Sequence, residues 1–153
     1  MAKMSVPVDK VCSDRGELIF GGWTFAAYKL YLAGEEDEAR RMLEQLHFTT
    51  YYKDRRNITT DKIVAKIYEE SGAVKPKSHL ASDPDIVQAA VRRRVNGYLE
   101  QLCKFRDNGY VETDEVRMVR HGGNLYRMTS CGENKVAALA ALGHAVIPNV
   151  AVS

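Results

Sequence analysis

Long apolar runs are missing from this 153-residue chain. No stretch reaches the ~20 consecutive apolar residues that a membrane-spanning helix needs, and the opening M-A-K-M-S-V-P-V-D-K lacks the apolar centre of a signal peptide. Cysteine is equally scarce. Cys12, Cys103 and Cys131 are odd in number and far apart, which argues against a disulfide framework and for a reducing, cytoplasmic setting with no membrane partner. Charge of one sign is not in large excess either: the net value of +2 does not by itself imply a nucleic-acid partner. The signatures of chemistry are absent too. His47, His79, His121 and His144 stand apart from one another, and no C-x-x-C, H-E-x-x-H, phosphate-cradling glycine loop or nucleophile elbow occurs. The pair Tyr51-Tyr52 lacks the histidine cluster or ordered arginines that strand-transfer chemistry requires, so packing is its expected role. The expectation is a protein that is not an enzyme and holds no metal or cofactor.

What is present suffices for one domain, or a small domain with a helical extension, because 45% of the residues are hydrophobic. Residues 1–21 read as an irregular or partly extended arm. Trp23 to Leu32 suits a short buried helix ended by Gly34. Glu35 to Glu38 open a second helix, where carboxylates favour the positive end of the backbone dipole, and Ala39, Met42, Leu43 and Leu46 give it one apolar face. The wording A-A-Y-K-L-Y-L-A-G-E-E-D-E-A-R-R-M-L is similar to one tetratricopeptide unit. No second copy follows at a spacing of ~34 residues, so a helical hairpin that packs on the main domain or pairs two protomers is the better reading. F-T-T-Y-Y-K-D-R-R-N then reads as a connection. Thr59, Thr60 and Asp61 cap a further helix carrying Ile63, Val64, Ile67 and Tyr68, and a loop with Pro76 leads to Ser82.

The centre of the chain is Ser82 to Thr129. Asp83 and Pro84 are helix-start signals. Val87, Val91, Val95, Tyr98, Leu102 and Phe105 follow at helical spacing and predict a helix to Asn108, stopped by Gly109. Two alternating runs around His121, Gly122, Gly123 and Asn124 predict a hairpin over 116–128. Between Ile86 and Arg106 five basic residues face only Glu100, and Arg117, Arg120 and Arg127 surround the hairpin turn. A long basic helix that leads through Gly109-Tyr110-Val111-Glu112 into a hairpin with a basic tip, and then through Y-R-M-T-S-C-G-E-N-K-V-A-A-L into a last helix, resembles the winged helix-turn-helix superfamily.

That resemblance implies a mainly α fold with a small β-hairpin: a winged helix-turn-helix with an N-terminal helical extension. Residues 1–56 would be the arm and helical hairpin, 57–142 the winged-helix domain and 143–153 a C-terminal tail. The implied function is a sequence-specific DNA-binding protein, a small transcriptional regulator acting as a homodimer on double-stranded DNA. Gln88, Arg92, Arg93, Asn96 and Lys104 of the helix would approach the major groove. Arg117, Arg120, His121 and Arg127 would form the wing against backbone phosphate. The alternative is a winged-helix protein-interaction module, such as a phage or mobile-element factor that binds and inhibits a host protein complex. There the N-terminal hairpin, with Trp23, Tyr28 and Tyr31, would supply the interface.

Overall fold

A computed structural model describes residues 2–13, 16–57, 84–110, 116–129 and 132–153. Strand β1 is Ala2–Pro7, followed by a 3₁₀ turn at Val8–Lys10 and strand β2, Val11–Cys12. A second 3₁₀ turn, Ile19–Gly21, precedes helix α1 at Trp23–Leu32 and helix α2 at Glu36–Asn57. Helix α3 spans Pro84–Asn108, strand β3 Arg117–His121 and strand β4 Leu125–Met128. Helix α4, Glu133–Ala141, and strand β5, Val146–Val152, complete the order. The helix expected after Thr59 and the connection to Ser82 lie outside the described residues.

The five strands form one mixed sheet in the order β1-β5-β3-β4-β2. β5 is antiparallel to β1 and parallel to β3, while β4 is antiparallel to β3 and parallel to β2. The hairpin turn uses Gly123 and Asn124 at φ 74° and 61°, the left-handed region that glycine and asparagine enter most readily. Between Met4 and Val6 the β1–β5 register shifts, and Asn149 there has φ 53°. A bulge of this kind adds twist without changing which residues face inward on either side of it.

Paired residues share a face of a sheet, so the register defines two surfaces. Met4, Val6, Val11, Met118, Met128, Ile147 and Val150 lie on the inner one, all but Met4 buried. In the helical layer, α1 packs on α2 and α4, and α3 packs on α2 and α4. Helix α4 is enclosed from Lys135 to Ala141, which its run of alanines permits because small side chains let neighbouring backbones approach. Helix α1 ends in a Schellman turn: Gly34 at φ 92° lets the Glu35 amide donate to the Leu30 carbonyl at 2.9 Å. That reversal sends α2 back along α1.

The fold is therefore not mainly α with a small hairpin, and it is not a winged helix-turn-helix with a helical extension: four helices lie with a five-stranded mixed sheet among the described residues. The hairpin itself forms as expected, and α3 is the longest described helix at 25 residues. But a wing needs a hairpin with a free flank. Here β3 is bordered by β5 and β4 by β2, so both hairpin strands sit inside the sheet. The expected arm at residues 1–21 contributes the strands β1 and β2, and the expected tail contributes β5. Helix α2 also continues through the expected connection to Asn57.

The α3 stripe supplies much of the core. Val91, Val95 and Leu102 are fully enclosed and Leu99 nearly so, with Tyr98 and Phe105 packed beside them. Leu102→Ala removes side-chain volume from a site enclosed by other elements and is expected to destabilise the fold by ~2–5 kcal/mol. Lys104→Ala, two residues further on the exposed side, should shift stability by no more than ~0.5 kcal/mol. Urea unfolding of the two variants checks this, and equal losses would contradict the facing of the helix.

Candidate functional site

The side chains proposed for base reading divide between two faces of α3. Arg93 and Lys104 are exposed, on the side away from the stripe, and share it with the carboxylate of Glu100. Arg92 and Asn96 instead lie beside α2. The Asn96 side-chain oxygen accepts a hydrogen bond from Arg40, and the Arg92 guanidinium lies 4.0 Å from the Glu44 carboxylate. Gln88 is half-buried. Arg94, which the sequence groups with the basic run, turns toward Tyr98 and donates to its hydroxyl at 2.6 Å. The helix thus spends part of its polar complement on its neighbour, and its exposed ridge is not uniformly basic.

The hairpin residues divide in the same way. Arg120 pairs with Tyr126 on the inner side but projects past the end of the core, its guanidinium 5.7 Å from the Tyr126 ring centre and 3.5 Å from the hydroxyl. Arg117 and Arg127 lie on the outer face of the sheet, and His121 lies there too, beside the turn. The register adds a cation that no local pattern indicates. Ala151 of β5 pairs with Lys3 on one side and Arg117 on the other, so Lys3 and Arg117 flank it, roughly 10 Å apart across two strand spacings. Ala151 itself is enclosed between them. Arg127 follows on the next strand, opposite Val119. Among the described residues the strand positions on this face are Lys3, Ser5, Pro7, Val146, Asn149, Ala151, Arg117, Val119, His121, Leu125, Arg127 and Cys12, with no carboxylate.

The α2–α3 seam holds a buried titratable group. His47 on α2 has its ring centre 5.2 Å from that of Tyr98, and its Nε2 is buried without a hydrogen-bond partner among the described residues. Burial, aided by the nearby Arg94 charge, holds its pKa down to about 4. A neutral ring buried against Tyr98 in the seam serves packing better than proton transfer. Elsewhere the Cys103 thiol lies 3.8 Å from the Tyr31 hydroxyl, and this contact and burial hold the phenol above the ordinary tyrosine range. Among the described residues no three His, Cys, Asp or Glu side chains converge as metal ligands would, and no helix is long and apolar enough to cross a membrane.

Comparison with protein-family models, with curated proteins and with solved structures finds no match to this chain. The geometry alone therefore decides between surfaces.

His47 generates a signed prediction. Its folded pKa lies below its ordinary value of 6.5, so the folded state takes up a proton less readily than the unfolded one. Its contribution is complete above the unfolded pKa and declines as pH falls from about 6.5 through 4, by about 3 kcal/mol in all. The slope of stability against pH in that interval should flatten in His47→Leu. An unchanged slope, measured by urea unfolding at a series of pH values, would show that other groups set it.

Proposed function

We propose that this chain binds double-stranded DNA and meets its phosphate backbone with the outer face of the sheet, not with a recognition helix. One observation carries the reading: Lys3 and Arg127 are exposed on a single sheet face that has no carboxylate at its described strand positions. Cations held on paired strands are fixed relative to one another, so several phosphates can be met with little loss of chain freedom. Each phosphate neutralised releases condensed counterions, which is the main source of sequence-independent affinity.

Phosphate contacts position a protein without reading bases. The expected activity is therefore duplex binding with modest sequence preference, and any selectivity belongs to groups at the rim such as His121. A regulatory role would rest on that binding. Arg92 and Asn96, which are engaged with Glu44 and Arg40, are not part of this surface, and Arg93 and Lys104 sit on another side.

The test is a salt titration of binding to a duplex of random sequence. Lys3→Ala and Arg127→Ala should each weaken binding on every sequence and reduce the slope of log affinity against log salt by ~0.9 per lost contact. Arg93→Ala should leave both unchanged. If the two sheet variants bind as the parent does while Arg93→Ala loses affinity, the helix carries the contact and the sheet-face reading is wrong.

A further inference from the structure

The β3–β4 hairpin brings one titratable side chain to the basic face. His121 ends β3 and is exposed. It pairs with Leu125, while Arg127 pairs with Val119, the residue two before His121. His121 and Arg127 are therefore diagonal neighbours on the outer face, their backbones roughly 7–8 Å apart. Arg127 is exposed as well. Two adjoining groups on paired strands can address one stretch of phosphate backbone, because the ladder fixes their spacing before any ligand arrives.

The described charges around His121 are mostly positive. On its own strand Arg120 turns to the other side of the sheet, beside the Tyr126 ring, and Arg117 lies on the outer face four residues back. Across the hairpin, β4 faces it with Leu125 and Arg127. β5 reaches this end of the sheet with the Ser153 carbonyl, which accepts the Arg120 amide at 3.2 Å. On the far side of β4, the 3₁₀ turn before β2 carries exposed Asp9 and Lys10, one of each sign. Strands β3, β4 and β5 contain no acidic residue.

An imidazole in such surroundings has a specific use at a phosphate surface. Histidine is the side chain whose ordinary titration lies between pH 5 and 8. Neutral, it offers a hydrogen bond; protonated, it adds a full cation beside Arg127. A phosphate brought next to it favours the charged form, so proton uptake and duplex binding strengthen each other by the same factor.

We propose that His121 is a proton-operated contact of the basic face: its imidazolium meets a phosphate beside the one met by Arg127, and duplex binding tightens as pH falls through the range in which histidine titrates. The inference rests on the sheet-face reading and adds a control that lysine and arginine side chains cannot supply.

The test repeats the salt titration with a random-sequence duplex at pH 8.0 and pH 6.0, with circular dichroism confirming the fold at both. Parent affinity should rise roughly fivefold to tenfold at the lower pH, and the slope of log affinity against log salt should steepen by up to ~0.9, the share of one phosphate contact. His121→Gln, which keeps a hydrogen-bonding group without the charge change, should bind at both pH values as the parent does at pH 8.0. His121→Arg should bind at both as the parent does at pH 6.0, and His144→Gln should respond to pH as the parent does. A response that survives in His121→Gln, or disappears in His144→Gln, belongs to another group and overturns the proposal. Equal parent affinity at the two pH values overturns it directly. The sheet-face reading fails on a different result, Lys3→Ala and Arg127→Ala binding as the parent does at both pH values. A parent that binds no duplex at low salt at either pH removes both.

Discussion

The rest of the structure depends on the placement of β5 between β1 and β3. Both of its edges are engaged, antiparallel on one side and parallel on the other, and the parallel pairing brings the Ser153 amide to the Met118 carbonyl at 3.1 Å and the Ala151 amide to the Val116 carbonyl at 3.0 Å. Removing it would leave buried peptide groups without partners on two strands at once, each such group costing about 1–3 kcal/mol. It would also take Ile147 and Val150 out of the inner face, and separate Lys3 from Arg117. The core and the basic face therefore share one dependence.

The helical layer is ordered by a different kind of interaction. Burial of the α3 stripe, Leu43 of α2 and the alanine-rich α4 supplies the cohesion, because apolar area removed from water contributes about 25 cal/mol per Å². The polar pairs along the α2–α3 seam add little by comparison. Arg92–Glu44 is substantially exposed and long at 4.0 Å, which places it in the range of ~0–1 kcal/mol typical of surface ion pairs. Its effect is mainly geometric: it directs a side chain that a sequence pattern would aim at DNA towards another helix instead.

The legible parts of this fold were those set by local physics. The α3 stripe from Val87 to Phe105 repeats over about five turns, the glycine-rich turn between two alternating runs permits only a tight reversal, and Gly34 ends α1 where a helix stop is written. Strands β1 and β5 carry no comparable signal. A-K-M-S-V-P ends in proline, and V-I-P-N-V-A-V is broken by Pro148 and the left-handed Asn149, so neither alternates cleanly. Their strand identity comes from each other and from β3, across a separation that no local window includes. The basic face follows suit: Arg117 and Arg127 were visible as hairpin arginines, while Lys3 joins them only once Ala151 is known to lie between. The mistaken wing came from the same blindness, since the flanks of a hairpin are not written in the hairpin.

That long reach has a kinetic consequence. The α1–α2 pair and the β3–β4 hairpin can form from neighbours in sequence, on the microsecond scale of local elements. The Ala2–Val152 pairing closes a loop of nearly the whole chain, and such non-local closure slows folding because chain entropy is lost before the contact returns any energy. During that interval the hairpin presents both flanks unpaired, β5 among the absentees. Amide protection should therefore reach the helical pair and the hairpin first, and β1 and β5 together and last.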